Sequence, residues 1–573
     1  MNNVYDVIIL GAGIGGTLLA TILARHGARV LIVEKGEHPR FAVGESTVPE
    51  TTFLLEVLAR RYDVPEIGHL RNFHRVRRHV SAACGVKRNF SFVYHRDGEP
   101  HRARESTQFP TWGPPFGPDV HLFRQDVDAY LLAVAVRYGA DVRQRADAAE
   151  IDFDMNGVRI STHPGGEARA RFLIDGCGHR SPLARRFGLR REPCPMHTRT
   201  RTLFTHMVGV PPYDRVAPPA REHGMPSPFS QGTLHHLFDR GWFWIIPFDN
   251  HPDSTNPLCS VGLSVDVDVH PRADEPPEDE FWRTVRRFPS VEKQLAGARA
   301  VRPWVATDRM QYSTERAAGD RWFLLPHSAG FVDALFSQGL ALTTSTVNGL
   351  AHRLLAAISD GDFSHARFQP LEETMLRGIA HHDRTVACSY ASTRDFALWN
   401  AWHRVWMLGS TWGATGHVEL LSRFEADGDR RHFERFDDPL YRGTQSIGVP
   451  EFMALFDAAA REVEAVRDAG RAPRDAAERI FALLRESGLC PAPWRLTDPE
   501  HRCPATFTLP SLAALAAWGF FRAPPSLRHN FDLRGRIGGV LASLGESAFA
   551  EVRRSAGLVT DLVKDALVPH TRR

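Results

Sequence analysis

The sequence has too few cysteines to be held together by them: seven in 573 residues, at positions 84, 177, 194, 259, 388, 490 and 503, scattered and odd in number. That argues against a disulfide framework and for reduced thiols, and so for a cytoplasmic protein. An excess of charge is missing as well. Seventy Lys and Arg stand against 67 Asp and Glu, a net charge of +3 with 24% charged residues, which gives no reason to expect a nucleic-acid partner. The 28 histidines show no metal-type spacing with cysteine, so no metal is expected. Long apolar runs are also absent. The one candidate, residues 7–24, contains four glycines, lacks a basic leader and follows Asp6, which fits a buried strand, turn and helix better than a signal peptide or membrane span. There is no low-complexity segment and no repeat of roughly 20–50 residues.

What is present begins with residues 5–35, YDVIILGAGIGGTLLATILARHGARVLIVEK. Residues 7–10 are a continuous apolar run suited to a strand buried on both faces, and Gly11, Gly13 and Gly16 follow at G-x-G-x-x-G spacing. Residues 17–26 read as a helix stopped by Gly27, and residues 30–33 as a second buried strand ending at Glu34. Each glycine has a task. Gly11 permits the tight turn, Gly13 lets backbone approach a pyrophosphate, and Gly16 lets helix and strand pack closely, while the free amides of the helix start face the phosphates. Glu34 stands where an acid accepts from a ribose hydroxyl, about 20 residues on, and favours an unphosphorylated ribose, as in FAD or NAD. At 573 residues the chain is long enough for two or three sub-domains.

Further along, residues 40–49 form a loop leading into a helix over residues 51–61, with Ser46 and Thr47 as good N-terminal capping residues and Pro49 suited to a first turn. The loop is either an ordinary capped entry or a second patch of amides for the ligand. Arg71, Arg75, Arg77, Arg78, Lys87 and Arg88 make a basic run, read either as a solvated face or as a landing site for an acidic partner. After Lys87 the sequence alternates, placing Phe90, Phe92 and Tyr94 on one side of a strand. A lysine fixed beside aromatic rings becomes reactive if desolvated, and otherwise faces water. Arg124, ahead of a helix over residues 129–138, is either a flavin partner or half of a surface ion pair. Residues 171–189 give another strand, turn and helix, with Asp175 and Gly176 at the turn, and two such turns in one chain suit a long cofactor. Residues 241–248, GWFWIIPF, are too apolar for an exposed strand. Residues 321–340 run from a strand through a small-residue loop into a helix opening at residues 337–339 and reaching residue 350. Amides at such a helix start bind an anion: a phosphate, a reduced flavin ring or a halide.

The Gly11/Gly13/Gly16 turn, Gly44-Glu45-Ser46, Arg124, Asp175-Gly176 and Ser328-Ala329-Gly330-Phe331-Val332-Asp333 resemble the FAD-dependent monooxygenases of aromatic-hydroxylase fold. Within them, Trp242-Phe243-Trp244-Ile245-Ile246-Pro247 matches the W-x-W-x-I-P signature of the flavin-dependent halogenases, and Lys87 occupies the place of their active-site lysine. The resemblance is to the phenol-type branch and extends through residues 398–406, covering most of residues 5–420. It departs from wider patterns twice. Aromatic hydroxylases carry Gly-Asp where this chain has Pro326-His327, which suggests looser flavin binding; tryptophan halogenases carry a glutamate where this chain has Phe336, which argues for a self-activating ring such as a phenol.

The resemblance implies an α/β fold with a Rossmann-type FAD-binding domain and an interleaved β-sheet substrate domain within residues 1–365. After about residue 365, helical spacing over residues 372–390, 451–470 and 474–488, with Pro491, Pro493, Pro504 and Pro510 punctuating a loop before residues 511–521, gives a mostly helical C-terminal domain over residues 366–573. That domain either closes the substrate mouth or only buttresses the core. The resemblance implies cofactor contacts from Gly11, Gly13, Gly16, Glu34, Lys35, Arg40, Ser46, Thr47, Arg124, Asp175, Asp333 and Gly339. Chloride or bromide would sit at Gln338 and Gly339, and Trp242, Trp244, Pro247, Phe90 and Phe336 would line the passage to substrate. Reduced FAD, supplied by a separate NAD(P)H-dependent flavin reductase, would react with oxygen to a hydroperoxide and yield hypohalous acid, which Lys87 delivers to a phenolic ring. Two other implied readings are a substrate tethered to an acyl-carrier protein and a flavin-dependent aromatic hydroxylase.

Overall fold

A computed structural model describes residues 4–112, 116–218, 220–438, 441, 443–504 and 509–531. The strand Val4–Leu10 is solidly apolar from Val7 onward because it runs through the middle of a sheet. It pairs in parallel with Val30–Val33 on one side and Gly166–Asp175 on the other, with Ile9 opposite both Ile32 and Ile174. Parallel strands in this position are covered on both faces, which is why their sequences do not alternate. Beyond them the sheet continues to Asp141–Arg143 at one edge and to Trp322–Leu324 and Ala318–Gly319 at the other. The hairpin Asp147–Asp154 and Gly157–His163 folds against the long strand Gly166–Asp175. Helix Ile14–Arg25 starts three residues before the expected span, directly after the glycine turn, and packs between helices Arg124–Arg137 and Gln338–Asp360.

The second large sheet follows the order Arg299–Ala300, Thr200–Val208, Cys259–Asp266, Gly241–Pro247, Thr233–Phe238, Asn89–Tyr94, Ser106–Pro110. Its pairings are antiparallel except that Thr233–Phe238 and Asn89–Tyr94 run parallel. Strict alternation divides its two faces. Phe243 and Ile245 enter a core with Phe281, Val285 and Leu295 on one side, while Trp242, Trp244 and Ile246 belong to the main core on the other. A short ribbon of Gly85–Lys87 against Asp119–His121 closes one end, with Lys87 opposite Asp119.

After residue 365 the described chain is helical: His365–Ser392, Phe396–Asp427, Pro450–Asp468, Pro473–Glu486 and Leu509–Phe521. The expected domain over residues 366–573 includes residues 532–573, which lie outside the described residues. Arg404, fully buried in the second of these helices, donates to the carbonyls of Leu496, Asp498 and His501 and so pins the proline-punctuated loop to the helix. Among the described residues no helix is long and apolar enough to cross a membrane.

Helix Pro49–Arg61 corrects one expectation. Its N-cap is Val48, with no side-chain cap, so neither Ser46 nor Thr47 performs the capping that their residue types suggest. Pro49 does occupy the first turn.

Packing on the second sheet leaves no slack at Gly262. A Cβ there would lie 2.1 Å from Cζ2 of Trp244, the residue paired with it across the sheet. Gly262→Ala should therefore displace the indole and cost about 1–3 kcal/mol as an overpacked site. An unchanged denaturation midpoint would contradict that packing.

Candidate functional site

A cavity of about 860 Å³ opens at the carboxyl end of the parallel strands, between the two sheets. Its wall includes Gly13 to Gly16, Val43 to Ser46, Arg124, Gly176, Asp333 and Ser337 to Leu340. The glycine turn is built for close approach. Gly11 has a φ of +96°, where L side chains are strained, and a Cβ at Gly16 would come within 2.3 Å of the Gly11 carbonyl. A Cβ at Gly13 meets nothing within 4 Å, so the space beside it is free for a ligand. Gly13 also caps helix Ile14–Arg25 without a side-chain bond, leaving the first helical amides open. Uncapped amides at a helix start suit a pyrophosphate, and these residues fit a dinucleotide such as FAD.

Not every expected cofactor residue reaches this wall. Glu34 stands behind it, accepting from the amides of Ala12 and Gly36 at 2.8 and 2.7 Å, with Arg40 at 3.6 Å. Lys35 is largely exposed and pairs with Asp147. Asp175 is fully buried and accepts from Ser181, Leu183, Cys177 and Ser328, so its carboxylate organises the second turn from within the protein. Arg124 is no surface pair: it lies on the wall, buried, bidentate to Asp128 and bonded to the carbonyls of Val43 and Gly44. Asp333 lies on the wall and accepts from Thr200, Tyr390 and the Leu335 amide. Tyr390 in turn accepts from the indole of Trp242, so a tyrosine of the C-terminal helices holds the signature tryptophan.

At the far end, helix Gln338–Asp360 begins after Phe336 (φ 69°) and Ser337 (φ 56°), two successive left-handed residues, and has no side-chain cap. Ser337, Gln338, Gly339 and Leu340 all face the cavity. His327, standing where the resemblance expects an aspartate, is half-buried on the cavity wall beside Gly339; desolvation and then Arg124 push its pKa down to about 4, so it is neutral.

Lys87 lies just behind the wall. Its Nζ donates to Ser46 Oγ at 2.6 Å and to the Thr47 carbonyl at 2.5 Å, and sits 3.1 Å from the centre of the Phe90 ring. The residue is completely buried, and burial holds the amine well below its ordinary pKa while Asp119 opposes that shift. Between Lys87 and the tryptophans stands an aromatic stack. His235 lies 4.5 Å from Phe92, 5.8 Å from Phe90 and 5.2 Å from Trp242, and Trp242 lies 5.6 Å from Trp244. Phe336 stacks on Trp406 at 4.2 Å and touches Phe92 at 6.3 Å. Thr47 is tied to Val120 by its hydroxyl, and Pro247 accepts from His121. Of the expected passage residues, Trp242 and Trp244 line the cavity, whereas Phe90, Phe336 and Pro247 lie outside its wall.

Thr233, His235, His121 and Tyr390 were not evident from the sequence. The alternation of Thr233-Leu234-His235-His236 was the one available signal, since it sets Thr233 and His235 on the cavity face. The basic run divides between buried and exposed positions. Arg71 is buried over Phe53, Arg75 pairs with Glu56, Arg77 pairs with Asp253, and Lys87 is internal. Arg75 and Arg78 remain exposed.

Residues 104–407 match the family model described as tryptophan halogenase, and residues 9–75 match that of an NAD(P)-binding Rossmann-like domain. The chain is 42% identical over 540 residues to monodechloroaminopyrrolnitrin halogenase PrnC of Pseudomonas fluorescens, covering 93% of this chain and 94% of that one. It is 43% identical to the tetracycline 7-halogenase of Kitasatospora aureofaciens, over 91% of this chain and 94% of that one. In structure it resembles halogenase PltM, solved with phloroglucinol and FAD, with a TM-score of 0.84 at 35% identity, covering 88% of this chain and all of that one. With the glycine turn and the paired tryptophans on one cavity and the buried lysine just behind its wall, the chain belongs to the tryptophan halogenase family of flavin-dependent halogenases.

Proposed function

We propose that this enzyme halogenates an electron-rich phenolic ring, using reduced FAD, oxygen and chloride or bromide, and that Lys87 carries the halogen to the ring. The observation that carries the reading is a lysine fully buried, held by Ser46 on the cavity wall and capped by an aromatic ring. A lysine on a surface would not be kept neutral, and a neutral amine is the nucleophile. When bound, reduced FAD supplies the electrons that let oxygen oxidise halide. The protein's part is then positional. The turn at Gly11 to Gly16 holds the pyrophosphate, and the uncapped start of helix Gln338–Asp360 offers amides to the halide. Trp242 and Trp244 keep the ring apart from the flavin. At Lys87 an N–Cl bond forms as the O–Cl bond of hypochlorous acid breaks, and the amine proton leaves with hydroxide as water. The ring contacts of Phe90, Phe92 and Phe336 with Trp399, His403 and Trp406, behind the cavity wall, support the C-terminal helices as the closure of the substrate side. Replacement of an aspartate by neutral His327 supports loose flavin binding, suited to receiving reduced FAD from a separate reductase. Seven unpaired cysteines support a reducing, cytoplasmic setting.

The flavin site is tested by two glycines. Gly13→Val should fold normally, since its Cβ has room, and should fail to titrate with FAD because the pyrophosphate's space is filled. Gly16→Ala should instead lose about 1–3 kcal/mol of stability. Normal flavin titration by Gly13→Val would sink the assignment.

Lys87→Ala should still consume oxygen with reduced FAD and chloride but give no halogenated phenol. Lys87→Arg should fail too, because a guanidinium holds its proton and cannot form the chloramine. Product at the wild-type rate from Lys87→Ala would refute the role of the lysine. The pure protein should oxidise NADH or NADPH only slowly; rapid, substrate-stimulated oxidation without a reductase would point to a hydroxylase.

A further inference from the structure

Behind Lys87 runs a chain of hydrogen bonds whose direction is set by one carbonyl. His121 Nδ1 lies 3.0 Å from the carbonyl of Pro247, which can only accept, so Nδ1 carries the proton. Burial and the neighbouring Lys87 hold His121 down at about 3, so the ring is neutral and its Nε2 is a bare acceptor. The hydroxyl of Thr233, 3.0 Å away, must then donate to Nε2. With that proton used, Thr233 Oγ1 can only accept from Ser46 Oγ at 2.9 Å, and Ser46 in turn accepts from Lys87 Nζ at 2.6 Å. Every link is buried: Ser46 is 7% exposed, Thr233 2%, His121 and Lys87 0%.

We infer that Ser46, Thr233 and His121 form a proton relay that takes up the proton the neutral Lys87 amine sheds when it displaces hydroxide from hypochlorous acid and its N–Cl bond forms. The inference rests on the proposed role of Lys87 as halogen carrier. One N–H bond of Lys87 breaks as Ser46 gains that proton. Ser46 passes its own to Thr233, and Thr233 passes its own to His121 Nε2, which becomes an imidazolium still bonded to Pro247. The proton then returns along the chain to the hydroxide released from hypochlorous acid, giving water and resetting the relay. Three other ionisable groups face it. Asp119 sits opposite Lys87 in the ribbon, but its Oδ1 accepts from Thr52 and it acts on the lysine through space. Arg71 bears on Asp119, and His235 donates its Nδ1 proton to the Ser91 carbonyl. Neither makes a hydrogen bond to Lys87 that would give a shorter route.

Thr233 and His121 are thus positioning residues that act through Ser46 on the amine. Thr233→Val keeps the shape and removes the hydroxyl; Thr233→Ser keeps the hydroxyl; His121→Gln keeps a donor for Pro247 but no base. Each is compared with wild type in the full-length enzyme with saturating reduced FAD, chloride and phloroglucinol as the probe ring. Thr233→Val and His121→Gln should titrate with flavin normally but form chlorinated product about 100-fold more slowly, the usual scale of positioned proton transfer. Thr233→Ser should recover most of that loss. The slowed variants should speed up as pH rises, because hydroxide replaces the relay. Wild-type rate and pH profile in Thr233→Val or His121→Gln, or a loss in Thr233→Ser equal to that in Thr233→Val, would overturn the relay. If Lys87→Ala retains product, the carrier role itself fails; if it loses product while Thr233→Val keeps it, only the relay fails.

Discussion

A lysine amine held away from water is the constraint on which this site depends. Taking such a group out of solvent favours its neutral form, and its N–H groups still need acceptors. Ser46 and the Thr47 carbonyl supply them, and both come from one short loop. That loop cannot drift, because Thr47 exchanges two hydrogen bonds with Val120 and Ser46 bridges to His121 along the backbone. The ribbon of Gly85–Lys87 and Asp119–His121, the loop, and the start of helix Pro49–Arg61 therefore form one unit around Nζ. Gly85 completes it: any Cβ there would meet the Pro247 carbonyl at 2.4 Å, so the ribbon lies flat against the signature strand.

The two sheets divide the work by their periodicities. A parallel sheet buried on both faces ends in turns at its carboxyl edge, and the uncapped one at Gly13 faces the cavity. The antiparallel sheet has a cavity face and a core face, so a run such as Trp242-Phe243-Trp244-Ile245 sends alternate side chains to two environments. Tryptophans reach the cavity with their indole nitrogens already engaged, Trp242 with Tyr390 and Trp244 with Ser260. Fixed in this way, they make a wall rather than a flexible flap.

What could be read in the sequence was local. The glycine turn and its two strands show in spacing alone, because strand, turn and helix follow one another within about 30 residues. Helices after residue 365 show for the same reason. Ser46 and Thr47 misled because capping propensity is a local preference, and here tertiary acceptors outcompete it. Within the basic run, Arg71 and Lys87 turn inward because their partners, Phe53 and the loop at Ser46 and Thr47, lie on distant segments that no local pattern shows. Alternation could place Thr233 on a face, but nothing showed that it meets His121. Their contact joins positions 112 residues apart, and Thr233 meets Ser46 across 187, so no pattern in either neighbourhood could announce it.

Strain at the start of helix Gln338–Asp360 links these parts. Phe336 and Ser337 both adopt left-handed backbone, which costs on the order of 1–3 kcal/mol for each non-glycine residue. Glycine at 336 would relieve that strain, yet the chain keeps phenylalanine. Burying such a ring contributes about 1.5–3 kcal/mol, and its stacks on Trp406 and Trp399 add to that, so packing offsets the backbone cost. The same ring meets Phe92, which stacks on His235 beside the cap of Lys87. One side chain thereby holds the helix start open toward the cavity, braces the wall in front of the lysine, and fastens both to helix Phe396–Asp427. Glycine could keep the turn but none of these contacts, so the strain persists because three elements rest on the residue that bears it.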